Sequence, residues 1–317
     1  MLEYTQELYR FLNGFDSSFS SKVLPLNYVN KGQSVVHVTQ KAKTFANIPK
    51  SKGKKIEWKS KYAFSDWKCT LPYVYKNIHS LQRNLEILKP YADDILLHGS
   101  IASNDAIADW SDVDITILLK DQITQNAGAL VELRKKIIKI LPLLLRIDPL
   151  QHHGFFIIHK HHTETSMPFK VLENSISLFD TLLPHTMYLL NDQSKAFEDA
   201  LEFFALRQKH PPRNLYQWKT YMNTIFILPA WYYNKKGKYY DKKEAIDRFL
   251  TQFPALGEDF LYLSRYRHEW NYFFIPPPVC TYHQQVWLNK YFLQLKKPLN
   301  KSGIVIAANR IVQGIPK

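Results

Sequence analysis

The sequence predicts an α/β (α+β) fold, in which a core with a small mixed sheet is followed by an all-helical domain. Between residues 95 and 158, short apolar runs alternate with segments of helical periodicity, a pattern typical of a small mixed sheet. From about Ser194 onward, apolar residues recur at helical spacing and prolines separate the segments. At 317 residues the chain is long enough for two domains of ordinary size.

The first half divides into a lysine-rich beginning and a run of strands and helices. Within residues 31–68, many lysines are interleaved with Trp58, Tyr62 and Trp67 and are opposed by only two acids. Periodicity, together with proline and glycine punctuation, predicts the regular elements that follow. The predicted helices are 1–13, Leu71–Leu88 and Ala127–Leu141, and the predicted strands are Ile95–His98, Asp112–Leu119, Leu143–Asp148 and Gly154–Ile158.

In the second half of the chain, the spacing of apolar residues predicts helices throughout, and Pro229 lies inside one of them. The predicted helices are Ser194–Gln208, Leu215–Tyr233, Lys242–Gln252, Gly257–Trp270 and Tyr282–Leu295. These patterns divide the chain into a basic N-terminal extension (1–70), a mixed-sheet domain (71–190) and a helical domain (191–317).

The formal net charge of +14 indicates an anionic partner: a nucleotide, a nucleic acid or an acidic surface. A lysine-rich composition with solvated side chains explains the same charge equally well. Cys69 and Cys280 are the only cysteines, which argues against a disulfide framework and fits a reducing cytoplasm. We expect no signal peptide, because residues 1–4 (Met-Leu-Glu-Tyr) do not begin a basic region followed by an apolar core. We expect no membrane partner, because no apolar run approaches the ~20 residues that span a bilayer.

Two short segments carry the chemistry that the sequence predicts. Gly99 and Ser100 follow an apolar run, where glycine lets the backbone approach a phosphate and serine donates a hydroxyl hydrogen bond. Asp112 and Asp114 open the next apolar run, and on a strand both would point to the same face. Two such carboxylates can hold a hard cation whose remaining ligands are triphosphate oxygens. Asp148, at the end of a further predicted strand, could join them.

Residues 97–100 (Leu-His-Gly-Ser) and 111–115 (Ser-Asp-Val-Asp-Ile) resemble the signature of the polymerase-β-like nucleotidyltransferases. The resemblance implies transfer of a nucleoside monophosphate from a magnesium-bound triphosphate to a hydroxyl, with release of pyrophosphate. It makes Asp112 and Asp114 catalytic metal ligands and Asp148 the candidate third carboxylate, as metal ligand, general base or both. Two Mg²⁺ ions are expected, with Gly99 and Ser100 binding the nucleotide.

A second resemblance begins at Trp231-Tyr232 and ends near Pro254. This part of the chain is similar to the aminoglycoside adenylyltransferases that act on streptomycin and spectinomycin. The similarity favours ATP as donor and AMP as the transferred group, and it implies that Lys242 contacts the triphosphate. Asp241 stands where that family usually has serine, and a solvated lysine at a helix start is the alternative interpretation of Lys242. Taken together, the resemblances cover the chain from about Leu71 to Pro254.

Histidines crowd the region after Asp148: His152, His153, His159, His161 and His162. A zinc site is conceivable, but on a strand His153, His159 and His161 would be too spread out to hold one ion. We expect His152 and His153 to line the mouth of the site, where they could contact the acceptor or a phosphate. Ordinary polar loop histidines are an equally good interpretation.

The sequence does not name the acceptor. A basic protein attracts polycationic aminoglycosides poorly at long range, so we expect an anionic or neutral small molecule, or RNA. Lysines interleaved with aromatic residues in 31–68 would suit phosphates and stacked bases. Two alternatives remain open: an RNA- or tRNA-directed nucleotidyltransferase, and a nucleic-acid-binding module with an inactive transferase fold.

Overall fold

The computed structural model describes residues 2–15, 40–44, 54–159, 172, 174–189, 195–279 and 281–316. The lysine-rich run is therefore described only in part, and residues 31–39 and 45–53 lie outside these ranges. His161 and His162, considered above as zinc ligands, also lie outside the described residues.

The described strands are short, and most of them belong to the first half of the chain. They are β1 (Lys54–Trp58), β2 (Tyr62–Ala63), β3 (Ala92–His98), β4 (Asp114–Leu119), β5 (Phe156–His159), β6 (Ile176–Ser177), β7 (His185–Leu189), β8 (Tyr272–Phe274) and β9 (Gln294–Leu295). The strands predicted around residues 95, 115 and 156 are confirmed as β3, β4 and β5. However, β4 begins only at Asp114, so Asp112 lies in the loop before it.

Five strands form one mixed sheet in the order β2-β6-β3-β4-β5. The central pairs β6–β3 and β3–β4 are antiparallel, whereas the outer pairs β2–β6 and β4–β5 are parallel. β1 and β7 form a separate antiparallel ribbon whose Trp58 packs with Leu118 and Ile158 of the sheet. The expected small mixed sheet is therefore present.

The helices agree with the predicted ones to within a few residues at each end, and α11 is the long helix that the sequence did not predict. They are α1 (Leu2–Leu12), α2 (Pro72–Leu85), α3 (Gly99–Ala102), α4 (Asp121–Thr124), α5 (Ala127–Ile140), α6 (Lys195–Lys209), α7 (Leu215–Lys235), α8 (Lys242–Gln252), α9 (Gly257–His268), α10 (Tyr282–Phe292) and α11 (Lys301–Gly314). Pro229 lies inside α7.

The strand predicted over Leu143–Asp148 is wrong. This run forms a 3-10 helix, Leu141–Arg146, directly after α5. Pro142 occupies its first turn, and Leu141 and Leu144 are buried at a spacing of three. A short apolar run does not distinguish a buried strand from a buried helical turn by periodicity, so the sequence pattern was ambiguous here.

Apolar side chains form two main cores. The first core joins the sheet to α1, α2 and α5, and the second joins α6, α7, α8, α9 and α11. Leu8, Phe11 and Leu12 of α1 and Trp67 are buried in the first core. These parts of the expected N-terminal extension therefore pack on the sheet domain. No helix of the described chain is both long and apolar enough to cross a bilayer.

Candidate active site

The candidate site begins where the end of β3 lies beside the start of β4. The two strands are antiparallel with His98 opposite Asp114, so the turn after β3 lies against Asp114. Gly99 has a φ of +71°, and a Cβ placed on it would lie 2.2 Å from Asp114 Oδ2. Glycine fits both demands, because it adopts this conformation without strain and leaves room for the carboxylate. The Gly-Ser turn and the second aspartate of the predicted motif thus meet.

Ser100 follows in the first turn of α3 and is half-buried. Its carbonyl accepts a hydrogen bond from Asp105 N–H at 2.9 Å, which folds the 100–105 loop back on itself. α3 is a single turn, which covers Gly99–Ala102.

A buried glutamine positions Asp112. Gln151 accepts a hydrogen bond from Val113 N–H at 2.9 Å and donates one to the Val113 carbonyl at 3.2 Å. These two bonds fix the backbone of Val113, which lies between the two aspartates. They therefore position Asp112 although it lies before the first residue of β4. Trp110, in the same loop, packs into the second core, so the loop spans the boundary between the cores.

A buried lysine from α7 joins two of the three predicted carboxylates. Lys219 Nζ lies 2.6 Å from Asp112 Oδ1 and donates a hydrogen bond to Asp148 Oδ2. The other oxygen of Asp148 accepts a hydrogen bond from Leu150 N–H at 2.9 Å. Lys219 is 1% exposed and Asp148 is fully buried. Asp148 is therefore close to Asp112, but an ammonium group lies between their carboxylates.

His152 and His153 lie beside the aspartates because β5 runs parallel to β4. Thr116 pairs with Phe156, so the residues just before β5 approach those just before β4. His152 Nδ1 is 3.6 Å from Asp112 Oδ2, and His153 Nε2 is 3.4 Å from Asp114 Oδ1. The structure therefore brings both histidines to the predicted place.

Burial and charge shift the pKa values of these groups in opposite directions. Burial opposes ionisation of Asp112, but Lys219, His152 and His153 together outweigh it and lower its pKa to about 2. Burial and the neighbouring Asp112 raise the pKa of Asp148 to about 7, against the attraction of Lys219. One ammonium group compensates two carboxylates here, so the second carboxylate is the harder one to ionise. Burial also lowers the pKa of His152 to about 4.

Lys242 of α8 and Arg267 of α9 lie beside this cluster: Lys242 interacts with Asp114 and Arg267, and Arg267 lies 5.9 Å from the centre of the Trp110 ring in the Asp112 loop. Asp241 caps α8 by accepting a hydrogen bond from Glu244 N–H at 2.8 Å, which makes Lys242 the first helical residue. Burial and then Arg267 lower the pKa of Lys242, whereas Asp114 acts in the opposite direction. Burial lowers the pKa of Arg267 to about 10, and its Nε has no hydrogen-bond partner in the described structure. Two desolvated cations close together favour binding of a multivalent anion.

The donor set suits one hard cation better than two. The described residues contain no group of three or more His, Cys, Asp or Glu side chains arranged to hold a metal ion. Both oxygens of Asp148 accept hydrogen bonds, and Lys219 also binds one oxygen of Asp112. The oxygen donors that remain for a cation are Asp112 Oδ2 and the carboxylate of Asp114. Mg²⁺ in phosphoryl-transfer sites takes one or two carboxylates together with substrate phosphates, and these two aspartates fit that pattern.

Helices at both ends of the chain support the loop that carries the histidines. Asn13, just after α1, exchanges two hydrogen bonds with the backbone of Phe155, at 2.8 and 2.7 Å. From α10, Tyr282 Oη donates to the His153 carbonyl at 3.0 Å, and Asn289 donates to the Pro149 carbonyl at 2.6 Å. These bonds hold the 149–155 loop on both sides.

Four residues at the site were not predicted from the sequence: Lys219, Gln151, Arg267 and Tyr216. Tyr216 lies edge-on to His152, with ring centroids 4.9 Å apart. Lys219 lies in a largely aromatic and apolar stretch of α7. A charged residue in such a helix is rarely buried without a partner, and this was the one local sign of its role. The other three have no distinguishing pattern around them.

Comparison of the chain with known proteins gave no match. No family model matches the chain, and no curated protein or solved structure matches it. The class of protein is therefore argued from the site alone.

Proposed function

We propose that this protein is a metal-dependent nucleotidyltransferase that moves a nucleoside monophosphate, AMP in the first instance, to an acceptor hydroxyl. The contact between the left-handed Gly99 turn and Asp114 carries the proposal. A glycine turn lets the backbone approach a phosphate, and Asp114, with Asp112 two residues before it, can hold the cation that the phosphates would bind. The mixed fold and the resemblance of these segments to polymerase-β-like nucleotidyltransferases support the same reaction.

In this proposal Asp112 and Asp114 would hold one Mg²⁺ ion. When bound, the ion would neutralise charge on the triphosphate and on the transition state. Gln151 keeps the two carboxylates in place through the Val113 backbone. The expectation of two ions and a third carboxylate ligand is not part of this proposal, because Asp148 is fully buried and both of its oxygens already accept hydrogen bonds.

Lys242, Arg267 and Ser100 would bind the triphosphate. Lys242 lies near Asp114 and Arg267, Arg267 lies over the ring of Trp110 in the Asp112 loop, and the half-buried Ser100 follows the glycine turn. Partly buried cations form stronger charge-assisted hydrogen bonds with phosphate than fully hydrated ones.

The acceptor oxygen bonds to the α-phosphorus, the bond to the bridging oxygen of the β-phosphate breaks, and pyrophosphate leaves. The hydroxyl proton passes to a base. Both oxygens of Asp148 already accept hydrogen bonds, so we assign Asp148 to holding Lys219. His152 takes its place as proton acceptor, because a carboxylate beside Nδ1 favours the tautomer with a lone pair on Nε2.

The experiment compares Asp112→Asn and Asp114→Asn with the wild type. Each labelled triphosphate is incubated with a cell extract and Mg²⁺, and label transfer and pyrophosphate release are measured. Both variants should lose transfer, because each removes charge from the cation site. Asp199→Asn, an exposed aspartate of α6, is the control and should keep full activity. Transfer at the wild-type rate in either site variant contradicts the proposal.

A further inference from the structure

The ammonium group of Lys219 occupies a point at which two carboxylates from different loops converge. Its Nζ lies 2.6 Å from Asp112 Oδ1 and donates a hydrogen bond to Asp148 Oδ2, whereas the lysine itself belongs to α7. Carboxylate oxygens that converge from separate segments on one cation are also what a divalent-ion site provides. The two aspartates therefore form a cation site that the protein fills with its own lysine.

Asp112 is shared between this buried cation site and the mouth of the candidate active site. Its Oδ1 approaches Lys219, whereas its Oδ2 lies 3.6 Å from His152 Nδ1 and 3.9 Å from His153 Nε2. A carboxylate that binds a cation at each oxygen holds the two cations close together, as the paired ions of two-metal sites are, about 3.5–4 Å apart. With an ion at the mouth, Lys219 would be the second cation of such a pair.

Lys219 is fixed in this place by the packing around it. The lysine is 1% exposed, Asp148 is fully buried, and the adjacent Trp218 packs into the second core. Burial opposes the charge on Lys219, but Asp112 and Asp148 outweigh it and raise its pKa. The ammonium group therefore stays charged, and a hydrated divalent ion would have to displace it to reach Asp148.

We propose that Lys219 serves as a built-in second cation, so that the site binds one divalent ion per chain where two-metal transferases bind two. This role rests on the proposed nucleotidyl transfer and states how its requirement for cations is met. Lys219 is a positioning residue, because it is buried and acts through Asp112. By binding Oδ1, it holds the Asp112 carboxylate with Oδ2 towards the histidines.

A purely structural ion pair is the competing interpretation of the same contacts. Lys219 joins the two cores through Asp112 and Asp148, and an ion pair that does only this has no relation to a metal site. The interpretations differ in what happens when the lysine is removed. A vacated cation site should accept a divalent ion, whereas a structural pair leaves two buried carboxylates that take up a proton instead.

The first measurement counts the Mn²⁺ ions bound per chain, by electron paramagnetic resonance with saturating α,β-methylene ATP. The wild type should bind one ion and Lys219→Ala should bind two. The matched control, Lys219→Ala combined with Asp148→Asn, should again bind one, because the vacated site has then lost a carboxylate. Two ions on the wild type, or no second ion on Lys219→Ala, overturns the inference. The wild-type count decides by itself if Lys219→Ala does not fold.

The second measurement follows thermal unfolding with Mn²⁺ and without nucleotide. At roughly ten times its dissociation constant, Mn²⁺ should raise the melting temperature of Lys219→Ala by about 2 °C more than that of the wild type or of the double variant. Equal shifts in the three proteins contradict a vacated cation site. Failure of the wild type to bind the ATP analogue would count against nucleotidyl transfer alone, since the thermal measurement does not involve nucleotide.

Discussion

The contact between Gly99 and Asp114 shows how one side chain constrains another at this site. The carboxylate of Asp114 occupies the space that a Cβ at position 99 would need. Two separate demands act on position 99: a positive φ, and empty space where a Cβ would be. A substitution with alanine violates both, and the two effects can be separated by comparison with another glycine.

We predict that Gly99→Ala abolishes nucleotidyl transfer, because the added Cβ displaces Asp114. Gly237→Ala is the matched control, since Gly237 has a φ of +70° but no atom within 4 Å of the added Cβ. Both variants should lose ~1–2 kcal/mol of unfolding free energy through backbone strain, measured by urea denaturation. If Gly99→Ala transfers nucleotide as well as Gly237→Ala does, the close approach has no functional role.

The start of α8 shows how a helix end selects one of two adjacent lysines for the site. Asp241 acts as the N-cap, because its side chain accepts a hydrogen bond from Glu244 N–H. Lys242, the first helical residue, faces the carboxylates and Arg267, whereas the side chain of Lys243 is 72% exposed. Successive helix residues point about 100° apart, which separates the two lysines.

Lys242→Ala should weaken triphosphate binding by ~1.5–3 kcal/mol, the range for hydrogen bonds to charged groups. Lys243→Ala removes the same charge from the neighbouring position and should change the affinity by less than about 0.5 kcal/mol. Isothermal calorimetry with ATP and Mg²⁺ provides both values. Equal effects of the two substitutions would restore the interpretation of Lys242 as a solvated lysine.

The two cores of the protein meet at a buried ion cluster. Lys219 belongs to α7 of the second core, whereas Asp112 and Asp148 belong to loops that leave the first core. Trp110 and Leu150, next to these aspartates, pack into the second core. The geometry of the site therefore depends on how the cores are packed against each other.

We predict that Lys219→Met destabilises the protein by ~3–5 kcal/mol, because two buried carboxylates lose their compensating cation. Adding Asp148→Asn to this variant should recover most of the loss, since the uncompensated charge is then removed. Lys135→Met, at an exposed ion pair with Glu132, should change the unfolding free energy by less than ~1 kcal/mol. Urea denaturation of the wild type, Lys219→Met, Asp148→Asn and the double variant gives the coupling energy, and strictly additive effects would show that the pair is not coupled.

Much of the fold follows from local patterns. Helix periodicity and proline at helix starts predicted α1, α2, α5 and most of the helices of the second half. Short apolar runs predicted three neighbouring strands of the sheet, β3, β4 and β5. The paired aspartates and Gly99 were found the same way, because a turn glycine and an i, i+2 carboxylate pair are visible within a few residues. Leu141–Arg146 was missed because short apolar runs suit a strand or a helical turn.

The ion cluster of Lys219, in contrast, does not follow from a local sequence pattern. Lys219 and Asp148 are 71 residues apart in sequence, and they meet only because α7 packs beside the loop after the 3-10 helix. The same packing decided that Asp148 binds an ammonium group, and it brought Arg267 towards Lys242. Turns, caps and periodicity arise from the sterics of neighbouring residues and so are present in the sequence. The partner of a buried charge is decided by which helix face packs against which loop, and no local pattern records that choice.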